Sequence, residues 1–116
     1  MTDPGARVDF RALVGFDWDD GNRGKSWRRH GVRDSEAEEV FSEAPLLVAP
    51  DVGHSQSEDR FLALGRTRTR RRLLVAFTIR GDRLRIVSAR DMSRRERRSY
   101  EEACRETPGA EGREVP

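Results

Sequence analysis

Two side chains able to transfer protons, His54 and Glu58, lie in a polar loop at residues 51–59, directly before an arginine-rich stretch. A histidine or a carboxylate can serve as a general base or acid, and guanidinium groups stabilise charge that develops on a phosphate. Tyr100 is a third side chain that could transfer a proton, although we expect it to be a packing residue with its hydroxyl satisfied. This set suits cleavage of RNA without a metal. A base would activate the ribose 2′-OH, cations would stabilise the phosphorane-like transition state, and an acid would protonate the leaving 5′-oxygen. Composition alone does not separate this chemistry from nucleic-acid binding without catalysis.

Other kinds of catalytic site have no motif in this chain. The two histidines are far apart, there is no HExxH and no cysteine pair, and Cys104 is the only cysteine. A phosphate-binding loop, a dinucleotide fingerprint and a Gly-x-Ser-x-Gly elbow are also missing. We therefore expect neither a metal nor a cofactor.

Charge is distributed unevenly along the chain, although the formal net charge is only +2. Residues 34–59 contain eight acidic residues and no Lys or Arg, whereas residues 60–98 contain fourteen arginines and three acidic residues, a local charge of +11. The guanidinium fork matches phosphate geometry. Such a segment is typical of proteins that bind nucleic acid or an acidic partner. The alternative is arginine enrichment on solvated faces.

Alternation of apolar and basic residues over residues 60–90 predicts three antiparallel strands joined by two turns. The second turn fits a two-residue type II′ hairpin in which Gly81 supplies the positive φ. On the core face the predicted pairs are Ile79 with Leu84, Phe77 with Ile86 and Val75 with Ser88. On the opposite, polar face they are Thr78 with Arg85 and Ala76 with Val87.

These considerations assign eight site residues. The predicted catalytic residues are His54, Glu58, Arg85 and Arg60. The predicted RNA-phosphate-binding residues are Arg66, Arg72, Arg83 and Arg90, with no metal ligand. Arg60 and Arg66 are an even number of residues apart on one predicted strand, so their side chains lie on the same face. They would extend a phosphate track, that is, a line of side chains that contact successive RNA phosphates. In the predicted register Arg90 lies on the same face of its strand as the core residues Leu84 and Ile86. Its alternative role is therefore an ion pair with a buried carboxylate such as that of Glu58.

The remaining segments predict an α+β domain over residues 12–105, between a flexible leader (1–11) and a disordered tail (106–116). A short strand is expected at 13–18 and a helix from Asp19 or Asp20 to His30, closed by Gly31. Capping boxes at 35–38 and 93–96 predict two further helices, the last to about residue 104 or 105. The meander and short N-terminal strands would form a small antiparallel sheet, with two N-terminal helices and one C-terminal helix packed on it. Trp18 and Trp27 are expected to anchor the core, although one of them could instead offer a platform for a nucleobase.

A combination of motifs from residue 16 to about residue 102 resembles the BrnT family of toxins. Its start is Phe16-Asp17-Trp18-Asp19, followed by His30-Gly31-Val32 twelve residues after the Trp. The likeness continues through Ala37, Val40, Phe41, Asp51, His54, Ser55, Glu58, Arg60, Leu64-Gly65, Arg72, the segment 85–90, Glu96, Arg97, Tyr100 and Glu101. The family often has Asn eight residues after the Trp and Lys just before the His, where this chain has Ser26 and Arg29.

The resemblance implies a RelE-like ribonuclease that cleaves RNA without metal and forms the toxin half of a type II toxin–antitoxin pair. It also implies a ribbon-helix-helix antitoxin as partner, DNA contact only through that antitoxin, and a possible higher-order toxin–antitoxin hetero-oligomer. With no membrane segment or signal peptide visible, we expect a cytoplasmic protein. Two alternatives stay open: a non-catalytic module that binds the antitoxin and co-represses its operon, motivated by Ser26, and direct DNA binding by the arginines at 94–98.

Overall fold

The structure, a computed structural model, describes residues 8–54 and 58–106. Within them it is an α+β fold, as predicted, with a five-stranded sheet in the order β1-β5-β4-β3-β2 and three α-helices. The strands are β1 (Gly15–Phe16), β2 (Leu47–Pro50), β3 (Arg60–Arg66), β4 (Arg72–Arg80) and β5 (Arg83–Asp91). The helices are α1 (Lys25–His30), α2 (Asp34–Glu39) and α3 (Arg94–Glu106). Short 3-10 turns occupy Phe10–Ala12, Val40–Ser42 and Val52–His54.

The predicted meander is confirmed, because β3, β4 and β5 pair antiparallel in sequence order. Gly81 has φ of 63° and Asp82 does not have a positive φ, which fits the type II′ turn. Next to the turn the predicted pairs are correct: Ile79 with Leu84, Thr78 with Arg85 and Phe77 with Ile86.

The predicted register is wrong beyond Phe77, where a β-bulge interrupts the β4–β5 pairing. Val75 pairs with Ala89 and Ala76 with Ser88, so Val87 is the additional residue on β5. One extra residue reverses the inward and outward alternation of the strand. As a result Ala89 is fully buried in the core and Arg90 lies on the other face, contrary to its predicted core parity.

The sheet is mixed rather than purely antiparallel, because β1 runs parallel to β5 through the pairs Gly15–Arg83 and Phe16–Leu84. β1 is also shorter than the predicted strand at 13–18. Beyond Leu84 the edge of β5 is covered by side chains instead. The Asn22 amide donates to the Ile86 carbonyl (2.9 Å), and the Ser26 hydroxyl accepts from the Ala89 N–H (2.8 Å).

Helix α1 begins at Lys25 and not at Asp19 or Asp20 as predicted. The Asp19 carboxylate accepts from the Gly21 N–H, and the Asn22 side chain accepts from the Asp19 N–H, each at 2.8 Å. These local bonds hold the preceding residues in turns and compete with helix formation. The predicted end is confirmed, since Gly31 has φ of 67° and its N–H donates to the Trp27 carbonyl at 3.0 Å.

The capping box predicted at Ser35 is wrong, and the one at Ser93 is confirmed. The N-cap of helix α2 is Arg33, two residues before Ser35, and the Glu36 carboxylate accepts from the Arg33 N–H at 2.9 Å. At the start of α3 the Ser93 N–H donates to Glu96 (2.8 Å) and the Glu96 N–H donates to the Ser93 hydroxyl (3.1 Å). Helix α3 runs to Glu106, slightly beyond the predicted end.

The sheet has two chemically different faces. Its apolar face carries the main core, in which the fully buried residues include Ala63, Leu73, Val75, Phe77 and Ala89. The opposite face, called here the arginine face, is lined by alternate residues of the same strands. Its members are Arg60, Leu62, Leu64 and Arg66 of β3, the even-numbered residues 72–80 of β4, and Arg83, Arg85, Ser88 and Arg90 of β5. Helix α3 covers one end of this face, where Tyr100 and Cys104 pack with Leu64 and Leu47.

The predicted leader and tail fall largely outside the described residues, at 1–7 and 107–116. Phe10, in the last part of the predicted leader, packs against the core, with ring centroids 6.0 Å from Phe41 and 6.1 Å from Phe77. In the described part of the chain, no helix has the length and apolar character needed to cross a membrane.

Candidate functional site

Four arginines meet at the hairpin end of the arginine face. Arg60, Thr78 and Arg85 stand in one cross-strand row, because Thr78 pairs with Arg60 of β3 and with Arg85 of β5. Arg80 pairs with Arg83 two residues further along. Side chains of directly paired residues lie on the same face. The fold therefore brings together three of the predicted site arginines, Arg60, Arg83 and Arg85, and adds Arg80.

The other three predicted arginines lie at the opposite end of this face, beside α3. Arg66 pairs with Arg72, and Arg90 pairs with Leu74. Arg72 is six residues from Thr78, a separation of about 20 Å along β4. The predicted phosphate track is therefore two separate clusters with Leu62 and Ala76 between them.

Arg85 is held by two aspartates from the connection between β1 and α1. Its Nη2 lies 2.8 Å from Asp19 Oδ1, its Nη1 lies 3.1 Å from Asp19 Oδ2, and Asp17 is 3.5 Å away. Only 12% of the Arg85 side chain is exposed. The hydrogen bond from Arg85 is the main reason that the pKa of the Asp19 carboxyl is lowered. The pair fixes the guanidinium in position and offsets its charge.

Glu58 forms an ion pair with Arg80, through Oε1 to Nη2 at 2.9 Å. It also lies 3.4 Å from the Thr78 hydroxyl, which donates a shorter bond to the Asp59 carbonyl at 2.6 Å. The hydrogen bond from Arg80 is the largest cause of the lowered pKa of Glu58. A carboxylate with a lowered pKa is a weaker base at neutral pH.

The alternative ion pair between Arg90 and Glu58 is wrong. Arg90 instead forms a two-point ion pair with Glu96 at the start of α3, with both N–O distances at 2.9 Å. The β-bulge turns Arg90 toward α3, and β4 places Arg80 beside Glu58.

His54 ends the 3-10 turn that follows β2, and its Nδ1 lies 3.1 Å and 3.2 Å from the two Asp51 carboxylate oxygens. The Asp51 N–H donates to the Arg60 carbonyl at 2.7 Å, which attaches this turn to the start of β3. A proton on Nδ1 shared with Asp51 leaves the lone pair of the neutral ring on Nε2. The turn thus presents an oriented imidazole at the end of the sheet where the row of Arg60 and Arg85 lies.

At the other end, the arginine cluster surrounds a cavity of about 290 Å³ that is lined by Arg66, Arg70, Arg72, Tyr100 and Glu101, among others. Arg72 forms an ion pair with Glu101. Tyr100 is buried as expected, its hydroxyl donates to the Pro45 carbonyl at 2.6 Å, and burial raises its pKa. These contacts make Tyr100 a packing residue.

Folding neutralises much of the charge asymmetry seen in the sequence. Within the described residues at least six of the fourteen arginines at 60–98 form ion pairs with carboxylates: Arg68, Arg71, Arg72, Arg80, Arg85 and Arg90. Four of their partners come from the acidic segment 34–59: Glu36, Glu39, Glu43 and Glu58. The local charge of +11 therefore overstates the positive potential of residues 60–98.

Sequence reasoning missed Asp17, Asp19, Asp51 and Arg80 as parts of this site. Arg80 lies two residues after Thr78 in β4, and this spacing in the sequence already indicated that its side chain is on the polar face. Asp17 and Asp19 flank Trp18, a pattern that carries no information about a partner 66 residues away. In the described part of the chain, no group of three or more His, Cys, Asp or Glu side chains is arranged to hold a metal ion.

Comparison with known protein families adds an independent finding. The family model described as "Ribonuclease toxin, BrnT, of type II toxin-antitoxin system" matches residues 18–96. This range is more than half of the 116 residues and contains all eight predicted site residues. A comparison with curated proteins gives no match.

Proposed function

The chain belongs to the BrnT family of ribonuclease toxins of type II toxin–antitoxin systems, and we propose that it is a metal-independent endoribonuclease. In this proposal the 2′-OH of the RNA attacks the adjacent phosphate and the 5′-oxygen leaves. Arg85 and Arg60 stabilise the charge on the scissile phosphate, and Arg83 contacts a neighbouring phosphate.

The observation that carries the proposal is the row of Arg60, Thr78 and Arg85 across three strands. Adjacent strands are about 4.8 Å apart, so the outer two residues of this row are separated by about 10 Å. Long guanidinium side chains on both sides can converge on one phosphate above Thr78. Preorganised cations of this kind stabilise a transition state because they need no reorganisation when charge develops.

His54 is the better candidate for proton transfer, with Asp51 orienting it. Imidazole is the commonest general acid or base in enzymes, and contact of Nδ1 with Asp51 directs Nε2 outward. Glu58 has a lowered pKa and is engaged by Arg80, so its proposed role is to position Arg80. The cluster of Arg66, Arg72 and Arg90 remains a second phosphate-binding region in the proposal, about 20 Å from the reacting phosphate.

As a type II toxin the chain has an antitoxin protein as partner and RNA as substrate. We propose further that the antitoxin is of the ribbon-helix-helix type and supplies the DNA contact of a cytoplasmic complex. The five-stranded sheet with its three helices is compatible with a RelE-like fold.

One observation favours a second candidate function, a toxin that binds its antitoxin without cleaving RNA. Arg85 is already neutralised by Asp19 and Asp17, so a phosphate must compete with two carboxylates. Ser26, in contrast, does not favour this alternative. Its hydroxyl is buried and satisfies the Ala89 N–H, which gives the residue a structural role at the edge of β5.

The two functions are separated by incubating the purified protein with single-stranded RNA in the presence of EDTA. A nuclease of the proposed kind produces fragments that end in a 2′,3′-cyclic phosphate, because the 2′-oxygen is the nucleophile. Intact RNA, together with unchanged binding of the antitoxin, would establish the non-catalytic function. Fragments that end in a 3′-hydroxyl would exclude the 2′-OH mechanism.

A further inference from the structure

A further surface with uncompensated positive charge lies at α1, outside the meander. Residues 21–33 contain five cationic residues and no Asp or Glu. They are Arg23, Lys25, Arg28, Arg29 and Arg33. In the described part of the chain, none of these five forms an ion pair with a carboxylate. A cationic surface without internal partners attracts an anionic ligand more strongly than a paired one.

Trp27 stands in the middle of these cations and is 52% exposed. Its predicted role as a core anchor is therefore wrong. The reason is the orientation of α1: Ser26 takes the inward position and bonds β5, which leaves the neighbouring Trp27 outside. The guanidinium of Arg33 lies 5.4 Å from the centroid of the Trp27 ring. A large exposed indole beside cations is a suitable surface for stacking a nucleobase.

The position of α1 along β5 connects this surface with the proposed active site. Ser26 contacts Ala89, and Asn22 contacts Ile86, so α1 and the turn before it follow the edge of the strand that carries Arg85. Ala89 is four residues from Arg85, about 13 Å along the strand. At about 3.4 Å per stacked nucleotide, this distance corresponds to about four nucleotides.

We propose that Trp27 and the α1 cations form a binding platform for single-stranded RNA next to the cleavage site. Trp27 stacks on a base a few nucleotides from the scissile phosphate, and the cations contact the intervening phosphates. The inference rests on the proposed function, since it needs RNA as the ligand. An acidic protein segment would also match the charge, but the exposed indole and the position along β5 favour a nucleic acid strand.

The test uses a fluorescent single strand of about 12 nucleotides made of 2′-O-methyl RNA, which lacks the nucleophilic hydroxyl. Binding is measured by anisotropy for the full-length protein at several salt concentrations. Trp27→Ala is expected to raise Kd about tenfold, whereas Trp27→Tyr, which keeps an aromatic ring, raises it about threefold or less. The control is Val14→Ala, which removes another exposed apolar side chain (64% exposed) and leaves Kd unchanged. Replacing Arg28 and Arg29 by Gln makes the negative slope of log K against log salt shallower by about 1.4.

An unchanged Kd for Trp27→Ala would overturn the platform, and so would a wild-type protein that does not bind this RNA. A variant that keeps its RNA affinity but loses the antitoxin would assign the surface to a protein partner. If Trp27→Ala does not fold, judged by circular dichroism, the salt slope of the arginine variant decides the question. Failure of the platform and of the proposed function are distinguishable. Tight, Trp27-dependent binding without cleavage of unmodified RNA refutes only the nuclease, whereas cleavage without Trp27-dependent binding refutes only the platform.

Discussion

Arg85 of β5 and Asp19 of the β1–α1 connection form a two-point ion pair, with N–O distances of 2.8 Å and 3.1 Å. The pair joins the connection between β1 and α1 to β5, the strand that carries the proposed phosphate-binding arginine. It holds the guanidinium in a fixed orientation even without RNA. In the proposed mechanism the same carboxylate competes with a phosphate for the guanidinium, which gives Asp19 two opposing effects on substrate binding.

Arg85→Ala is expected to lower the rate of RNA cleavage about 100-fold or more, because it removes a preorganised cation from the transition state. Initial rates on a fluorescent RNA give the effect. Arg11→Ala is the matched control, since Arg11 is an exposed arginine (95%) that contacts only Asp9 among the ion pairs of the described residues. If the two variants cleave at similar rates, Arg85 does not stabilise the scissile phosphate.

Asp19→Asn is expected to tighten RNA binding, because the amide offers no negative charge to compete with phosphate for Arg85. The pKa of Asp19 is lowered, so the carboxylate is charged at neutral pH and the competition is present there. We expect a decrease in Kd of about threefold, and a larger salt dependence as one more cation becomes available to phosphate. Weaker binding would show that holding the guanidinium in place matters more than the competition.

His54→Ala is expected to lower the cleavage rate about 100-fold, because imidazole is the commonest proton-transfer group in enzymes. Glu58→Gln is expected to lower it only slightly, because the hydrogen bond from Arg80 lowers the pKa of Glu58 and makes it a weaker base. Initial rates of RNA cleavage by the two variants and the wild type, measured on the same RNA, check the assignment. The opposite pattern would make Glu58 the proton-transfer residue.

The meander and its hairpin were predictable because local chemistry determines them. Gly81 specifies the turn, and the alternation next to it specifies which residues lie with Leu84 and which with Arg85. The bulge at Val87 was not predictable, because a short apolar residue carries no local signal for an extra position. That single residue changed the placement of Arg90 and therefore its ion pair.

The candidate site was predictable only in part, for a reason of distance along the chain. Residue type identified Arg85 as a cation on the polar face. The aspartates that bind it and the arginine that binds Glu58 depend on tertiary contacts, as with the 66-residue separation between Asp19 and Arg85. The exposure of Trp27 also depends on how α1 is attached to β5, and the helical pattern of six residues is too short to show it.

Glu96→Gln is expected to destabilise the protein at neutral pH and to have a smaller effect in acid. The hydrogen bond from Arg90 is the main cause of a pKa of Glu96 below its ordinary value of 4.5. A carboxyl whose pKa is lowered by folding stabilises the native state above pH 4.5, and that contribution is lost as the pH falls through the folded value. Urea unfolding at pH 7 and pH 3 measures the difference. An effect of equal size at both values would show that the charge of Glu96 does not contribute.

Gly65→Ala is expected to lower the free energy of unfolding by about 1–3 kcal/mol, because overpacking a tight core forces neighbouring side chains to move. A Cβ at this position would lie 2.6 Å from Cγ1 of Val40, which is fully buried. Gly53→Ala is the control, since nothing lies within 4 Å of the equivalent atom. If the contact with Val40 is the cause, Gly65→Ala costs less in a Val40→Ala background than in the wild type. Additive effects of the two substitutions would place the strain elsewhere on β3.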